Sequence, residues 1–304
     1  MKSLTLLALA SAALAGSVVG SVAAKPKPAP TPAVTPAAPA APAAPVDADW
    51  RTPDPQDVLV IETTKGRIIV ELNAQAAPNH VARVRELVRG GLYDGRSFFR
   101  VIDNFMDQTG DPLDSGLGGS DKPNLTAEFT FKRGTDTPFA PVAKTGGVEQ
   151  GIVGSLPVVS QTMDLALLTL DHRVQAYGTY CPGVIGMARA DDPDSANSQF
   201  YLMRTNARSP DRGTHSLDAK YTAFGRALLG QDVIDDIKTG EPVEAPQDKM
   251  LTVKVLADLP EATRPKIRVI DPRGVWFKAE LERQRAAAGI DFSVCTVKLA
   301  VEVK

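Results

Sequence analysis

An arginine set inside an apolar, β-branched run is the feature that most narrows what this chain can become. Ser97 to Ile102 reads Ser-Phe-Phe-Arg-Val-Ile, a composition that suits a pleated strand. Arg100 sits in the middle of it with a permanent charge, which is costly to bury without a partner or a task. Asp103-Asn104 breaks the run, and Phe105, Met106 and Gln108 follow directly. One arginine, two large apolar side chains and one amide within nine residues are enough to line a single shallow pocket. The bland readings are an ion pair of Arg100 with Asp107 or Asp111, and Phe105 with Met106 as ordinary core.

Upstream of this stretch the chain does not begin as fold. Lys2 precedes an apolar run from Leu4 to Leu14 and then small residues ending Val22-Ala23-Ala24. That is the order of a secretory signal peptide over 1–24. The apolar run is too short for a membrane span, and no cysteine stands near the cleavage point to carry a lipid. Residues 25–55 read as a linker: Lys25 to Val46 is almost wholly Pro and Ala, with eight prolines, and such a stretch cannot bury a core. The expectation is an exported monomer, periplasmic or secreted, with no membrane span once the leader is removed. A formal charge of −2 over 304 residues gives no reason to expect a nucleic-acid partner. The two cysteines, Cys181 and Cys295, would meet an oxidising compartment, where they either pair or stand as separate buried thiols. Their spacing fits no zinc pattern, and neither metal nor cofactor is expected.

Along the chain, Asp57 to Thr64 and Arg67 to Leu72 read as a hairpin turned at Lys65-Gly66. Pro78 opens a helix with Val81, Val84 and Val88 on one face, ended by Gly90-Gly91. Within 112–180, the Leu165 to Leu170 run suits a strand or a short helix equally. Asp171-His172 has no nucleophile motif beside it and carries no catalytic expectation. Gln231 to Lys238 predicts a short helix and Met250 to Leu256 a strand. Beyond residue 258 come a strand at Lys266 to Ile270, a helix at Trp276 to Ala288, and alternation from Phe292 to Val303. Alternation predicts a strand with Cys295, Val297, Leu299, Val301 and Val303 on its apolar face, so 259–304 reads as a packed β-α-β appendage.

Phe98 to Asp111 resembles the signature of the cyclophilin family, F-H-R-V-I-x-x-F-M-x-Q-G-G-D, with Phe99 for His and Thr109 for Gly. Gly183-Val-Ile-Gly-Met-Ala-Arg-Ala190 is similar to G-x-L-S-M-A-N-A, with Arg189 for Asn. Asn197-Ser-Gln-Phe-Tyr-Leu202 is similar to N-x-S-Q-F-F-I, with Tyr201 for the second Phe. Leu217 to Gly225 resembles L-D-G-K-H/Y-T-V-F-G, with Ser216 where many members have Trp. The resemblance covers 56–258 and is interrupted by a longer segment at about 133–181.

It implies a mainly β fold: an eight-stranded antiparallel barrel capped by two helices. It also implies a peptidyl-prolyl cis-trans isomerase whose partners are proline-containing polypeptides. Arg100, Gln108 and Phe105 take the catalytic positions. Met106, Ala188, Arg189, Gln199, Tyr201, Leu217 and Tyr221 take the substrate-binding positions, with Gln199 orienting Arg100. Tyr201 adds a hydroxyl to a wall that is normally Phe, Phe99 alters only packing behind the strand, and loss of the Trp predicts weak cyclosporin binding. The rival readings are a weak or inactive cyclophilin-like module that holds Pro-containing segments, with 133–181 covering the pocket, and a structural role in the cell envelope.

Overall fold

The computed structural model describes residues 42–205 and 217–304. The leader, the linker as far as residue 41, and Ser216 lie outside the described residues. In chain order the first strands are β1 (Trp50–Arg51), β2 (Val58–Thr63), β3 (Gly66–Leu72), β4 (Arg100–Ile102) and β5 (Met106–Thr109). The middle of the chain gives β6 (Phe131–Arg133), β7 (Phe139–Thr145), β8 (Val148–Val153), β9 (Leu156–Gln161) and β10 (Val174–Gly178). Then follow β11 (Val184–Met187), β12 (Phe200–Met203), β13 (Ala223–Leu229), β14 (Met250–Val255), β15 (Ile267–Ile270) and β16 (Val301–Val303). The α-helices are α1 (Pro78–Arg89), α2 (Gln231–Asp236) and α3 (Val275–Ala288).

Eight of the strands form one antiparallel sheet in the order β14-β2-β3-β13-β11-β12-β5-β4. It curls on itself, and the Ser97–Lys249 bridge, with the Phe98 N–H donating to Asp248 O at 2.9 Å, joins the segment before β4 to the start of β14. Regular pairing in the signature stretch begins only at Arg100. Inside lie Leu59, Ile61, Ile68, Val70, Phe200, Leu202 and Phe224, and α1 lays Val81, Val84 and Val88 against them. This is the expected barrel.

The other face of the first hairpin is covered as well. Val58, Val60 and Ile69 pack against Ile267 and Val269 of β15, with Leu299 and Val301 beside them. Burial on both faces explains why Val58 to Ile61 is an unbroken apolar run. The β-α-β appendage gains a third strand from upstream: Trp50 and Arg51, read as linker, pair with Ile270 and Val269. A strand needs only a neighbouring edge, and β15 supplies one to a segment whose local composition shows no period.

The strand expected from Phe292 to Val303 shortens to Val301–Val303. Val294–Thr296 winds into a 3₁₀ turn, and Gln284 of α3 bonds both the N–H and the C=O of Lys298, taking groups a ladder would have used. Cys295 is tied to Cys181 by a disulfide, Cα to Cα 4.9 Å. Val297 is buried as the alternation required.

Residues 131–178 build a five-stranded antiparallel sheet, β6-β10-β9-β8-β7. Its Ile152, Leu156 and Val158 share a core with Val184, Tyr201 and Met203 of the barrel and Phe277 and Leu281 of α3. Met163–Leu168 is a 3₁₀ helix with Leu167 and Leu168 exposed, and Asp171-His172 is an exposed turn.

One ion pair crosses the barrel floor. Asp107 is fully buried, and Arg204 donates to its Oδ1 at 3.1 Å and to Ile237 O at 3.0 Å, while Oδ2 has no partner. Burial pushes the Asp107 carboxyl up to about 7; Arg204 opposes this, and Asp235 and Asp248 add repulsion. A folded pKa above the ordinary 3.8 means that the folded state binds this proton more tightly. Stability from this group is therefore present at low pH and lost as pH rises from about 4 to about 7. Urea unfolding at pH 5 and pH 8 is expected to show a smaller loss for Asp107→Asn than for the wild type; parallel losses would exclude this carboxyl as the source. The Cys181–Cys295 bridge spans 114 residues, so serine at both positions is expected to cost about 2–4 kcal/mol in guanidinium unfolding.

Candidate active site

Three antiparallel pairings place one row of side chains on a common face. Arg100 of β4 opposes Gln108 of β5, Gln108 opposes Tyr201 of β12, and Tyr201 opposes Gly186 of β11. Neighbouring rows belong to the barrel interior, since side chains alternate along each strand.

Polar bonds run along this row. The Arg100 Nη1 donates to Gln108 Oε1 at 3.1 Å, and Gln108 Nε2 donates to Gln199 Oε1 at 2.9 Å. Gln199 Nε2 in turn donates to the carbonyls of Gly116 and Gly118 at 3.1 and 2.8 Å. Gln199 therefore reaches Arg100 through Gln108. The ion-pair partner of Arg100 is neither carboxylate of the bland reading: its Nε lies 2.6 Å from Glu241 Oε1. Asp107 is engaged by Arg204, and Asp111 accepts from the N–H groups of Leu113, Ser115, Gly116 and Gly118. Burial works to raise the Asp111 carboxyl, but those four donors outweigh it and hold the group below its usual range. Asp111 is thus a loop anchor. Arg100 keeps 38% of its side chain exposed, so its charge stays in contact with solvent at the pocket mouth.

Arg100, Phe105, Met106, Gln108, Ala188, Arg189, Tyr201, Leu217 and Tyr221 together line one pocket of about 190 Å³. Gln199 lies in an adjoining hollow of about 380 Å³ with Gly116 to Gly119, Ala188, Arg189 and Asn197. Every residue given a catalytic or substrate-binding position from the sequence lines one of these two spaces, and nothing from 133–181 lines either. The Ala188 N–H bonds Gln199 O at 2.9 Å, fixing the strand end beside the pocket. Arg189 lies 4.4 Å over the Tyr221 ring and donates to Lys220 O and Ala190 O, which keeps its charge on the rim. The far wall is held from behind. Asp218 accepts from Thr179 Oγ1 and the Tyr180 N–H, at 2.8 and 3.0 Å, and so ties the Leu217–Tyr221 turn to the end of β10. Phe99 is buried with its ring against Gly116, so it supports the glycine loop and not only the strand.

The Tyr201 hydroxyl does not face the pocket space as expected. The atom is inaccessible, and a Cβ on Gly186 would lie 2.6 Å from both it and the Tyr180 ring edge. Tyr180 stacks on Tyr201 at 5.8 Å, and Tyr221 meets Tyr201 edge-on at 6.2 Å. The missing side chain at Gly186 makes the room that the extra hydroxyl needs. Sequence reading missed three residues: Glu241, 141 positions from Arg100 with no local signal; Tyr180, outside the motifs; and Gly186. Only Gly186 left a trace, a glycine where the resembled motif has Ser.

The chemistry of the site is that of a cradle: one fixed guanidinium, an amide relay and an apolar hollow. Residues 58–256 match the family model described as cyclophilin type peptidyl-prolyl cis-trans isomerase/CLD. A protein of Brucella suis named "Probable peptidyl-prolyl cis-trans isomerase" is 31% identical over 220 residues, 67% of this chain and 85% of that one. A peptidyl-prolyl cis-trans isomerase of Streptomyces antibioticus is 30% identical over 179 residues, 59% of this chain and 81% of that one. The crystal structure of a cyclophilin from Hirschia baltica is 34% identical with a TM-score of 0.75, covering 84% of this chain and 93% of that one. The chain belongs to the cyclophilin-type peptidyl-prolyl cis-trans isomerases.

Proposed function

We propose that this isomerase acts on X–Pro bonds of exported polypeptides by a non-covalent route in which Arg100 stabilises the twisted amide. The observation that carries this reading is the Arg100 guanidinium, held by Gln108 at the mouth of an apolar pocket. Rotation about a peptide bond is opposed by about 18–20 kcal/mol because the nitrogen lone pair is delocalised. In the twisted state the nitrogen regains its lone pair, and a fixed cationic donor bonds that state better than the planar one. No nucleophile is needed.

Phe105, Met106, Tyr201 and Leu217 would take the proline ring, with Tyr221 closing the far wall. Gln108 would hold the substrate backbone, and Ala188 with the main chain of Arg189 would pair with the peptide. Uncatalysed exchange takes tens of seconds. Raising it to about 10²–10³ s⁻¹ requires roughly 4–7 kcal/mol. One or two charge-assisted hydrogen bonds from a donor already fixed in place are of that size. The order of residues 1–24 supports export, and a Pro/Ala spacer suits a protein tethered or extended in the envelope. The pocket is not lined by 133–181, which counts against an occluded binding module.

Arg100→Ala is expected to slow the cis-to-trans rate of a short Ala-Pro peptide at least about tenfold, the loss of one such hydrogen bond. No acceleration by folded wild type across several X–Pro peptides would end the catalytic reading and leave a binding module. Fractionation of cells expressing the chain with and without residues 1–24 tests export; retention of both in the cytoplasm would exclude it.

A further inference from the structure

The strongest unassigned feature lies away from the Arg100 pocket, where strand β13 meets the C-terminal segment. Arg226 on β13 stands between Val184 of β11 and Glu71 of β3. Among the described residues its one side-chain hydrogen bond runs from Nε to Pro182 O at 3.2 Å. Its cross-strand neighbour Glu71 is ion-paired with Arg51 through both oxygens, at 2.5 and 2.7 Å. Burial lowers the Arg226 pKa to about 10, with no opposing charge to restore it. A half-buried guanidinium without a carboxylate is an uncommon arrangement, because a desolvated cation ordinarily acquires a partner.

The space in front of it has the shape of a binding site. Arg226 opens on a groove of about 570 Å³ whose apolar walls include Leu228 on one side and Val297, Leu299 and Val301 on the other. Cys295, bridged to the buried Cys181, also lines it, so the disulfide anchors the C-terminal wall next to Pro182. Val301 belongs to β16, the last strand of the sheet β1-β15-β16. The Lys266–Lys304 pair exchanges both backbone hydrogen bonds, so by alternation the N–H and C=O of Val301 and Val303 point away from β15. An exposed strand edge accepts a further extended chain.

We infer that this groove is a second peptide-binding site, for an extended segment carrying Asp or Glu between apolar residues. The main chain would add to the β16 edge, apolar side chains would lie on Leu228, Leu299 and Val301, and the acidic side chain would meet Arg226. The guanidinium, with no carboxylate partner among the described residues, suits a carboxylate, whose geometry its fork matches, and the strand edge favours a polypeptide over a lipid. The site is independent of proline isomerisation.

The test uses the mature full chain and a fluorescent, N-acetylated and C-amidated peptide Val-Leu-Glu-Val-Leu, followed by anisotropy. Saturable binding is expected, weakened at least about tenfold when Glu is replaced by Gln in the peptide or when Arg226→Met is used. Unchanged X–Pro isomerisation by Arg226→Met would show that the variant is folded. Should it fail to fold, the Glu and Gln peptides on wild-type protein still decide: equal affinity overturns the proposal. So does the absence of binding. Decanoate displacing the peptide while binding more tightly, with the same dependence on Arg226, would assign the groove to a small amphipathic carboxylate and overturn the peptide assignment.

Discussion

The register of β4, β5, β12 and β11 is the constraint on which the site depends. Arg100, Gln108 and Tyr201 share a face only because Arg100 opposes Gln108 and Gln108 opposes Tyr201. A slip of one residue would turn all three into the barrel and bring the interior row out. That interior row runs Val101, Asp107, Leu202, Ile185. Three of its members are fully apolar and pin the register in the ordinary way. The fourth is a carboxylate, tolerable only because Arg204, two residues past Leu202, reaches Asp107 from the end of β12. The same pair therefore favours the correct register, since a shifted strand would turn Asp107 to the other face, away from Arg204.

Around this barrel the remaining chain works as a shell. The sheet β1-β15-β16 covers the outer face of the β2–β3 hairpin, and the five-stranded sheet covers that of β11 and β12. The second cover bears on the site, because the end of β10 supplies Thr179 and Tyr180, which fix Asp218 and with it the turn carrying Leu217 and Tyr221. A turn anchored by two bonds to a neighbouring sheet holds its side chains in place at little further entropic cost on substrate binding.

The legible parts were those in which the signal is local. The first hairpin, α1, the signature strand and the helix after Gly274 follow from period and punctuation within a few residues. The motif residues come together around one pocket because their spacing is fixed within single strands and turns. What failed to show was non-local. Glu241 meets Arg100 across 141 positions, and Trp50–Arg51 becomes a strand only because β15 presents an edge. The alternation of 292–303 predicted burial correctly at Val297 but not conformation, because Gln284 and the disulfide compete with the ladder for that segment.

The departures from the resembled motifs are connected. Taken singly, Tyr201 for Phe adds a polar atom to a pocket wall, and a glycine for Ser at position 186 adds flexibility to a central strand. In the fold the two residues are direct cross-strand partners, and the hydroxyl occupies the space the glycine leaves empty. Tyr180, from the segment that the motifs do not cover, closes the same space by stacking on the Tyr201 ring. The pocket is then lined by an aromatic face, as it would be with Phe, while the polar tip is displaced into the contact between the barrel and the second sheet. Substituting one member alone leaves either a void or a clash: serine or alanine at 186 meets the hydroxyl at 2.6 Å, and phenylalanine at 201 leaves the glycine uncovered. The second sheet is thereby coupled to the pocket it does not line, through one aromatic stack and one absent side chain.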